Sequence, residues 1–301
     1  MDEVSRAFYE SRFEIGFLRL KGNGFQDLFA DIMEKRYPGD FQRIRPGGPE
    51  GDRKADGYLR SAKMIYQVYA PDQITGTTTG KKIKQDFEGA CQYWADRMKG
   101  WTFVHNARSG LLPTIVSILD EIASQNCHLT FQRCGFEELR GLVFQLNEQD
   151  LALLFGQAPS IRHVAAVSAE DLRPIIISIA AGDSIADEDV RPVPPEKLSK
   201  NQLSPSIQLL LTHGMASANR ITKFFNRSVD PGLGDKVAAR FKYQYGVLKG
   251  AGLTPDEIFF GLRDFAWHGT PSLREESAVL ALLAYLFEQC DIFERPQDDA
   301  T

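Results

Sequence analysis

The chain has 301 residues, of which 43% are hydrophobic and 25% are charged, and its formal net charge is −5. This composition is typical of a soluble globular protein, and the length suits two domains. We find no apolar run of the ~20 residues that a membrane-spanning helix requires, and the acidic beginning MDEVSRAFYE does not fit a secretory signal peptide. We therefore expect a cytoplasmic protein. The charge is uneven, because basic residues slightly outnumber acidic ones over the first hundred positions and acidic residues predominate afterwards.

The first 150 residues alternate between helical and extended patterns. Apolar residues at helical spacing predict helices, and short apolar runs beside Gly or Pro predict strands. In chain order we predict helix 25–36, strands 41–45, 55–59 and 64–70, helix 81–98, strand 101–105, helix 112–125, strand 127–133 and helix 136–146. The stretch 74–80 is rich in Thr and Gly and predicts a loop. Strands that alternate with helices favour a mixed sheet flanked by helices, so we expect residues 1–150 to form an α/β domain.

The pattern changes near residue 150. Residues 151–196 end in an acidic stretch with three prolines, where a persistent helix is disfavoured, and we expect a connector there. Residues 197–301 show helical spacing almost throughout, and Thr254-Pro255 followed by two acidic residues is typical of a helix start. This region carries no pattern of catalytic residues in the sequence. It therefore predicts a mainly α-helical domain that is suited to docking a partner.

The segment GDRKADGYLRSAKMIYQVYA, residues 51–70, carries the candidate site. Asp56 opens one predicted strand, and Gln67 and Tyr69 lie on the next one. Because strand side chains alternate between faces, Gln67 and Tyr69 point the same way. Mg²⁺ and Mn²⁺ take oxygen ligands and activate water for attack on a phosphodiester. Asp56 and Gln67 are therefore candidate ligands for such a cation, and the alternative is that Asp56-Gly57 forms a turn and Gln67 lies on the surface.

A positive charge near the cation would stabilise the charge that develops during phosphodiester cleavage. Lys54 shares a face with Asp52 and Asp56 if their strand begins early enough. These three side chains and Gln67 would then converge on one place.

The order of these elements resembles the core of the PD-(D/E)XK nuclease superfamily, and within it the Mrr-like branch. There, a helix precedes a hairpin with the pattern Gly-x-Asp-Gly on its first strand and Gln-x-Lys on its second. Asp56 and Gln67 match the acidic residue and the glutamine, whereas Tyr69 stands at the lysine position and Gln26 stands where related enzymes often have Glu. The resemblance implies a restriction-endonuclease-like fold with Asp56, Gln67, Tyr69 and Gln26 in the catalytic site.

The missing lysine has four candidate replacements in this sequence. Lys54 would project from the strand next to the Gln-x-Tyr strand. Lys82 and Lys84, together with Lys81, stand at the start of the following predicted helix.

Longer segments resemble effector proteins of bacterial ABC-three-component systems, which include the Lamassu-type anti-phage systems. They are FQDLFADIMEKRYPGDFQRIRP, EGDRKADGYL, IYQVYAP, KKIKQDFEGA and WTFVHN, and the tail segments LSKNQLS and TPDEIF are similar to the C-terminal domains of such effectors. The resemblance implies a nuclease-like effector in a bacterial cytoplasm. The implied partners are double-stranded DNA, an SMC-like ABC ATPase and a middle-component protein. The tail would dock to this complex, DNA sensing would activate the effector, and the active form would self-associate.

Two functions from different classes remain open at this point. One is a metal-dependent DNA endonuclease that partner subunits hold inactive. The other is a catalytically inactive nuclease-fold module that binds DNA or protein as an adaptor, and a free-standing restriction-like nuclease is a third reading. DNA cleavage that depends on Asp56 distinguishes the enzymes from the adaptor.

Overall fold

The computed structural model describes residues 1–45, 54–72, 74–181, 201–267, 272–289 and 292–293. The chain divides into two compact units. Residues Gly16–Leu154 form one unit, and Met1–Ile15 together with Phe155–Thr301 form the other. We call them the α/β unit and the helical unit.

Between residues 22 and 143 the α/β unit has its helices and strands in the predicted order, and helices that were not predicted precede and follow them. Its elements are the end of α1 (Glu3–Arg19), α2 (Gly22–Arg36), β1 (Phe41–Arg43), β2 (Gly57–Leu59), β3 (Met64–Tyr69), α3 (Gly76–Trp94), β4 (Gly100–His105), α4 (Pro113–Gln125), β5 (Thr130–Cys134), α5 (Phe136–Val143) and most of α6 (Glu148–Phe155). The strands form one sheet in the order β1-β2-β3-β4-β5. The first three strands are antiparallel, whereas β3, β4 and β5 are parallel, so the predicted mixed sheet is observed.

Within the parallel half of the sheet, β3 and β4 are largely buried, as expected for strands joined by crossover helices, whereas the edge strand β5 is mostly exposed. All six residues of β4 are buried. Trp101 and Phe103 of β4 and Ile65 of β3 belong to one core cluster with Ile83 and Phe87 of α3. This cluster fixes α3 against the sheet, and α3 is the helix that flanks the candidate site.

The loop predicted over 74–80 is wrong from Gly76 onward, because α3 already begins there. The glycines that suggested a loop instead allow close packing against α4. A Cβ atom at Gly80 would lie 2.4 Å from Ile118 Cδ1, and one at Gly76 would lie 2.7 Å from Thr114 Oγ1. Packing against the neighbouring helix therefore outweighs the low helix propensity of Gly and Thr.

The helical unit contains short helices after the first residues of α1. They are the end of α6, then α7 (Ile161–Ala165), α8 (Ala169–Ala180), α9 (Pro205–Met215), α10 (Ala218–Asn226), α11 (Leu233–Gly250), α12 (Pro255–Ala266) and α13 (Leu273–Glu288). The predicted start at Thr254 is confirmed: its hydroxyl accepts from Glu257 N, and the Glu257 carboxylate accepts from Thr254 N in a capping box. Among the described residues, none of the helices combines the length and apolarity of a membrane span.

Helix α13 is the centre of the helical unit. Eleven of its residues, Glu276–Ala284, Leu286 and Phe287, are buried on all sides of the helix, as in a helix enclosed by its neighbours. The carboxylate of Glu276 is buried and receives the guanidinium of Arg263 from α12. This pairing satisfies the two charges that the core encloses.

The units are divided differently from the predicted domains. The predicted connector 151–196 contains α7, α8 and the end of α6, while residues 182–200 lie outside the described part. The first fifteen residues belong to the helical unit, in which the Phe8 ring centroid lies 5.9 Å from that of Phe260 and Glu3 Oε1 lies 2.9 Å from His213 Nε2. Contacts between residues distant in sequence thus assign the N-terminal helix, and sequence order does not reveal them.

Candidate functional site

Asp56 lies at the point where the antiparallel strands begin. It precedes β2 by one residue, its N–H donates to Tyr66 O at 2.9 Å, and its carbonyl accepts from Ile44 N at 3.0 Å. The register that pairs Gly57 with Tyr66 places Asp56 opposite Gln67. The backbone of Asp56 is therefore held by the strands on both sides, which fixes the position from which its side chain projects.

In the described part of the chain, N–H groups of Gln26, Gln67 and Val68 donate to the Asp56 carboxylate. Gln67 Nε2 and Val68 N lie 2.8 Å and 2.6 Å from Oδ2, and Gln26 Nε2 lies 2.5 Å from Oδ1. Asp56 and Gln67 are both buried. The predicted proximity of Gln26, Asp56 and Gln67 is thus observed, with the carboxylate at its centre.

The position of Gln26 follows from the start of α2. Gly22 opens this helix with φ +49°, and its N–H donates to Ala70 O, 2.6 Å away, just after β3. A residue with a side chain rarely adopts this backbone conformation, which glycine tolerates. Because the bond ties the start of α2 to the end of β3, Gln26 lies one turn into the helix and reaches Asp56.

The amide of Gln67 has an unused acceptor. Its Nε2 donates to Asp56, whereas its Oε1 is buried and has no hydrogen-bond partner in the described part of the chain. A buried carbonyl oxygen without a donor carries a free-energy penalty unless a cation, a water or a substrate group meets it. One amide therefore places an unsatisfied oxygen beside a carboxylate.

The Asp56 and Gln67 side chains fit a hard divalent cation in donor chemistry. Mg²⁺ typically binds through one or two carboxylates and keeps several waters, and amide oxygens are also hard ligands. Asp56 supplies the carboxylate and Gln67 Oε1 the unsatisfied oxygen. No group of three or more His, Cys, Asp or Glu side chains suited to a metal occurs among the described residues, so Asp56 supplies the carboxylate in this set by itself.

Lys54 is directed to α3. Its Nζ lies 3.3 Å from Asp86 Oδ1, and Lys82 Nζ lies 2.8 Å from the same oxygen. Asp86 is 2% exposed, and the sequence analysis did not identify it. The spacing of four residues between Lys82 and Asp86 predicts an ion pair along a helix, but nothing in the sequence indicates that Lys54 joins them.

The remaining predicted residues occupy different surroundings. Tyr69 stacks against Phe103, with ring centroids 6.2 Å apart, and is partly buried at the end of β3. Lys84 Nζ lies 3.1 Å from Glu121 Oε2 on an exposed surface. Asp52 lies outside the described residues.

The parallel register places His105 of β4 beside Tyr69. His105 is buried, and burial lowers the pKa of its imidazole to about 4. Its Nδ1 accepts a hydrogen bond from Ala107 N at 3.3 Å, which a neutral ring can do. His105 is therefore neutral near pH 7 and contributes no positive charge to this edge of the sheet.

Comparison with known proteins identifies the C-terminal part of the chain. Neither a curated protein nor a solved structure matches the sequence. Residues 170–294, which run from α8 to just beyond α13, match the family model of C-terminal domain 10 of the ABC-three component (ABC-3C) systems. Over this part, the chain is therefore similar to the C-terminal domains of the ABC-three component systems.

Proposed function

We propose that the α/β unit is a metal-dependent DNA endonuclease and the effector of an ABC-three component system with an anti-phage role. The observation that carries this proposal is the meeting of Asp56, Gln67 and Gln26, with an unsatisfied Gln67 oxygen beside the carboxylate. Asp56 and Gln67 are the residues at which the sequence resembles the PD-(D/E)XK pattern, and Gln26 stands where related enzymes often have Glu.

The order of elements supports the proposal. Helix α2 is followed by three antiparallel strands, then by α3 and by β4, which lies parallel to β3. This order is the one that the resemblance implies for a restriction-endonuclease-like core. It also places Asp56 and Gln67 on neighbouring strands.

The chain's own residues would orient the reacting groups. Asp56 and Gln67 would hold the Mg²⁺ or Mn²⁺ ion, which supplies Lewis-acid stabilisation and an activated water when bound. Val68 N–H and the Gln26 amide keep the Asp56 carboxylate in one orientation. Lys54, two residues away, is the candidate for the charge that the Gln-x-Tyr pattern lacks, and Tyr69 borders the site without supplying one.

The helical unit would connect the nuclease to its system. Its match to an ABC-three component C-terminal domain supports docking to partner subunits. In this proposal the partners are an SMC-like ABC ATPase and a middle-component protein in the bacterial cytoplasm. They would hold the effector inactive until foreign double-stranded DNA is sensed, and the released effector would self-associate to cut.

Plasmid cleavage tests the endonuclease directly. Purified protein, alone and with its partner subunits, should nick or linearise DNA in Mg²⁺ or Mn²⁺ but not in EDTA. Asp56→Asn should lower the cleavage rate at least ~10²-fold, as the loss of a catalytic metal ligand or charge partner typically does. Asp96→Asn, at an exposed position, is the matched control and should cleave normally.

The folding of each variant must be checked by thermal unfolding, because Asp56 is buried and fully engaged. Cleavage that survives Asp56→Asn would refute the assignment of this site. If the wild-type protein cuts no DNA, with or without its partner subunits, the endonuclease proposal is refuted.

One observation favours the second function, a catalytically inactive adaptor. Three N–H donors already satisfy the Asp56 carboxylate without a cation. In an adaptor these bonds would only stabilise the fold. Asp56→Asn would then lower the melting temperature, the wild-type protein would not cut DNA, and divalent cations would leave its melting temperature unchanged.

A further inference from the structure

We propose that Lys54 and Lys82, held together by the buried carboxylate of Asp86, form a binding site for a phosphate group of the DNA backbone. The proposal rests on the proposed function for its ligand, since a nuclease must hold DNA beside Asp56. The site itself is built from a separate set of contacts on α3.

The two ammonium groups are close because they share one oxygen. Lys54 Nζ and Lys82 Nζ lie 3.3 Å and 2.8 Å from Asp86 Oδ1, so the two nitrogens are at most about 6 Å apart. A phosphate carries several oxygens, and two lysines at this spacing can each donate to a different one. The pair is thus arranged for one tetrahedral anion.

Both lysines remain partly exposed although the carboxylate that they share is buried. Asp86 supplies one negative charge and is 2% exposed, whereas the Lys54 and Lys82 side chains are 39% and 42% exposed. The Lys82–Asp86 pair along α3 would by itself neutralise the buried carboxylate. Two ammonium groups thus share one buried carboxylate, and the exposed parts of both lysine side chains are accessible to a phosphate.

The backbone of Lys54 is in an uncommon conformation. Its φ is +58°, in the left-handed region that residues with a side chain rarely adopt. Such a conformation is unfavourable and persists where its surroundings hold it, often at functional sites. Here the surroundings are identifiable, because the Lys54 stem crosses α3 at Gly89.

Gly89 makes room for this crossing. A Cβ atom at residue 89 would lie 2.5 Å from Lys54 Cγ. The glycine admits the stem and Asp86 receives the ammonium group one turn earlier in α3. Two features of one helix thus fix the direction of Lys54, which the sequence pattern of the strand alone would have left variable.

The site lies beside Asp56. Lys54 is two residues from Asp56, a span of at most about 7 Å between Cα atoms. Ala55, between them, is fully buried in the core cluster that includes α3 residues Ile83 and Phe87. A phosphate held by the lysine pair would therefore lie in the neighbourhood of the carboxylate.

A DNA-binding titration without cleavage tests the site. The full-length protein is titrated with a fluorescent DNA duplex in EDTA over a range of salt concentrations. We expect the Lys54→Gln and Lys82→Gln variants each to weaken binding roughly 3- to 10-fold at low salt. The double variant should lower the slope of log affinity against log salt by about one, since both lysines contact one phosphate. Lys84→Gln is the matched control on the same helix, because its ammonium is paired with Glu121, and it should bind as wild type does.

Asp86→Asn separates positioning from simple charge. The substitution makes the protein more positive, so a diffuse electrostatic attraction to DNA would increase. If Asp86 positions the lysines, affinity falls roughly 3- to 10-fold despite the added charge. Tighter binding by Asp86→Asn, with a melting temperature near that of wild type, would refute the positioning role.

The outcomes for the two proposals are distinguishable. Wild-type protein that binds DNA through the lysine pair but never cuts it supports the phosphate site and refutes the endonuclease. Protein that cuts DNA while the double variant keeps wild-type affinity and salt slope refutes the phosphate site, and so does failure of the wild type to bind duplex DNA. Competition with inorganic phosphate and with a mononucleotide identifies the source of the bound phosphate. If the mononucleotide displaces the duplex at a concentration similar to that of the duplex, the ligand is a free nucleotide and not DNA.

Discussion

At the residue scale, the buried imidazole of His105 gives the α/β unit a defined sensitivity to acid. Burial holds the pKa of this ring at about 4, against about 6.5 in an unfolded chain. Between these values the unfolded state binds a proton that the folded state does not. The free energy of unfolding therefore falls as the pH drops from about 6.5 to about 4 and is unaffected by this group above that window.

We expect His105 to account for a loss of about 2 kcal/mol of stability between pH 7 and pH 5. Urea unfolding followed by tryptophan fluorescence at the two pH values measures the loss. The His105→Gln variant should show a pH-dependent loss smaller by that amount, whatever its stability at pH 7. His128→Gln, at an exposed position, is the control and should match wild type. Equal losses in wild type and His105→Gln would show that the ring is not buried as a neutral group.

The position of an individual side chain can be predicted where the spacing of residues along a strand alone fixes the direction of that side chain. The alternation of strand side chains was sufficient to place Gln67 near Asp56 once the two strands were predicted to be adjacent. It was not sufficient for Lys54, whose left-handed φ breaks the alternation and directs the side chain to Asp86 on α3. A positive φ at a lysine has no sequence signal of its own, and Gly89, which permits it, is distant in the sequence.

At the scale of helices and strands, most predicted elements of the α/β unit lie within a few residues of the observed ones, because each has its own apolar periodicity. Two errors share a different cause. The start of α3 depends on glycines that pack against α4, and the first residues of α1 belong with helices from the other end of the chain. In both cases the deciding contacts come from distant parts of the sequence, which local patterns do not encode.

Glycine packing also decides how α9 meets α13 in the helical unit. A Cβ atom at Gly214 would lie 2.6 Å from Ala284 Cβ and 2.9 Å from the Leu280 carbonyl oxygen. The second neighbour is backbone and cannot turn away, so the two helices must separate. We expect Gly214→Ala to lower the free energy of unfolding by about 1–3 kcal/mol, the usual range for overpacking.

Gly246 provides a matched control for this substitution. It lies inside α11, is exposed, and a Cβ atom there would have nothing within 4 Å. Gly246→Ala should raise stability by up to about 1 kcal/mol, because alanine favours a helix over glycine. Chemical denaturation of the two variants measures both effects. A stable Gly214→Ala variant would contradict the close approach of α9 and α13.

At the scale of the whole molecule, the chain forms its helical unit from both ends of the sequence. Residues Met1–Ile15 join Phe155–Thr301, so a cut at any single point after the sheet leaves part of this unit without its core. A boundary near residue 150 follows from the change in sequence pattern. The return of the N-terminal helix to the C-terminal half does not, because helical periodicity shows which face of α1 is buried but not what buries it.

This division predicts how the protein tolerates truncation. A chain of residues 1–183 keeps the first part of α1 but lacks α12, where the Phe8 ring meets Phe260 and the Arg12 guanidinium lies 5.2 Å from the same ring. It exposes apolar side chains that are buried in the full chain, such as Phe8, whose partner Phe260 it lacks. We expect it to bind a hydrophobic dye and to aggregate, as exposed apolar patches of this kind promote.

A chain of residues 16–154 should behave differently, because it keeps the whole α/β unit. Phe17 stays with its partners there, since its ring lies 5.2 Å from Phe25 and 5.1 Å from Phe136. We expect this fragment to be soluble and monomeric, to unfold cooperatively, and to lose binding to the partner subunits in a pull-down, because the docking proposal assigns that binding to the helical unit. Size-exclusion chromatography, thermal unfolding and the pull-down on both fragments measure these outcomes. The division of the chain would be contradicted if the 16–154 fragment aggregated while the 1–183 fragment was well folded. If the 16–154 fragment still bound the partner subunits, the docking surface would lie on the α/β unit.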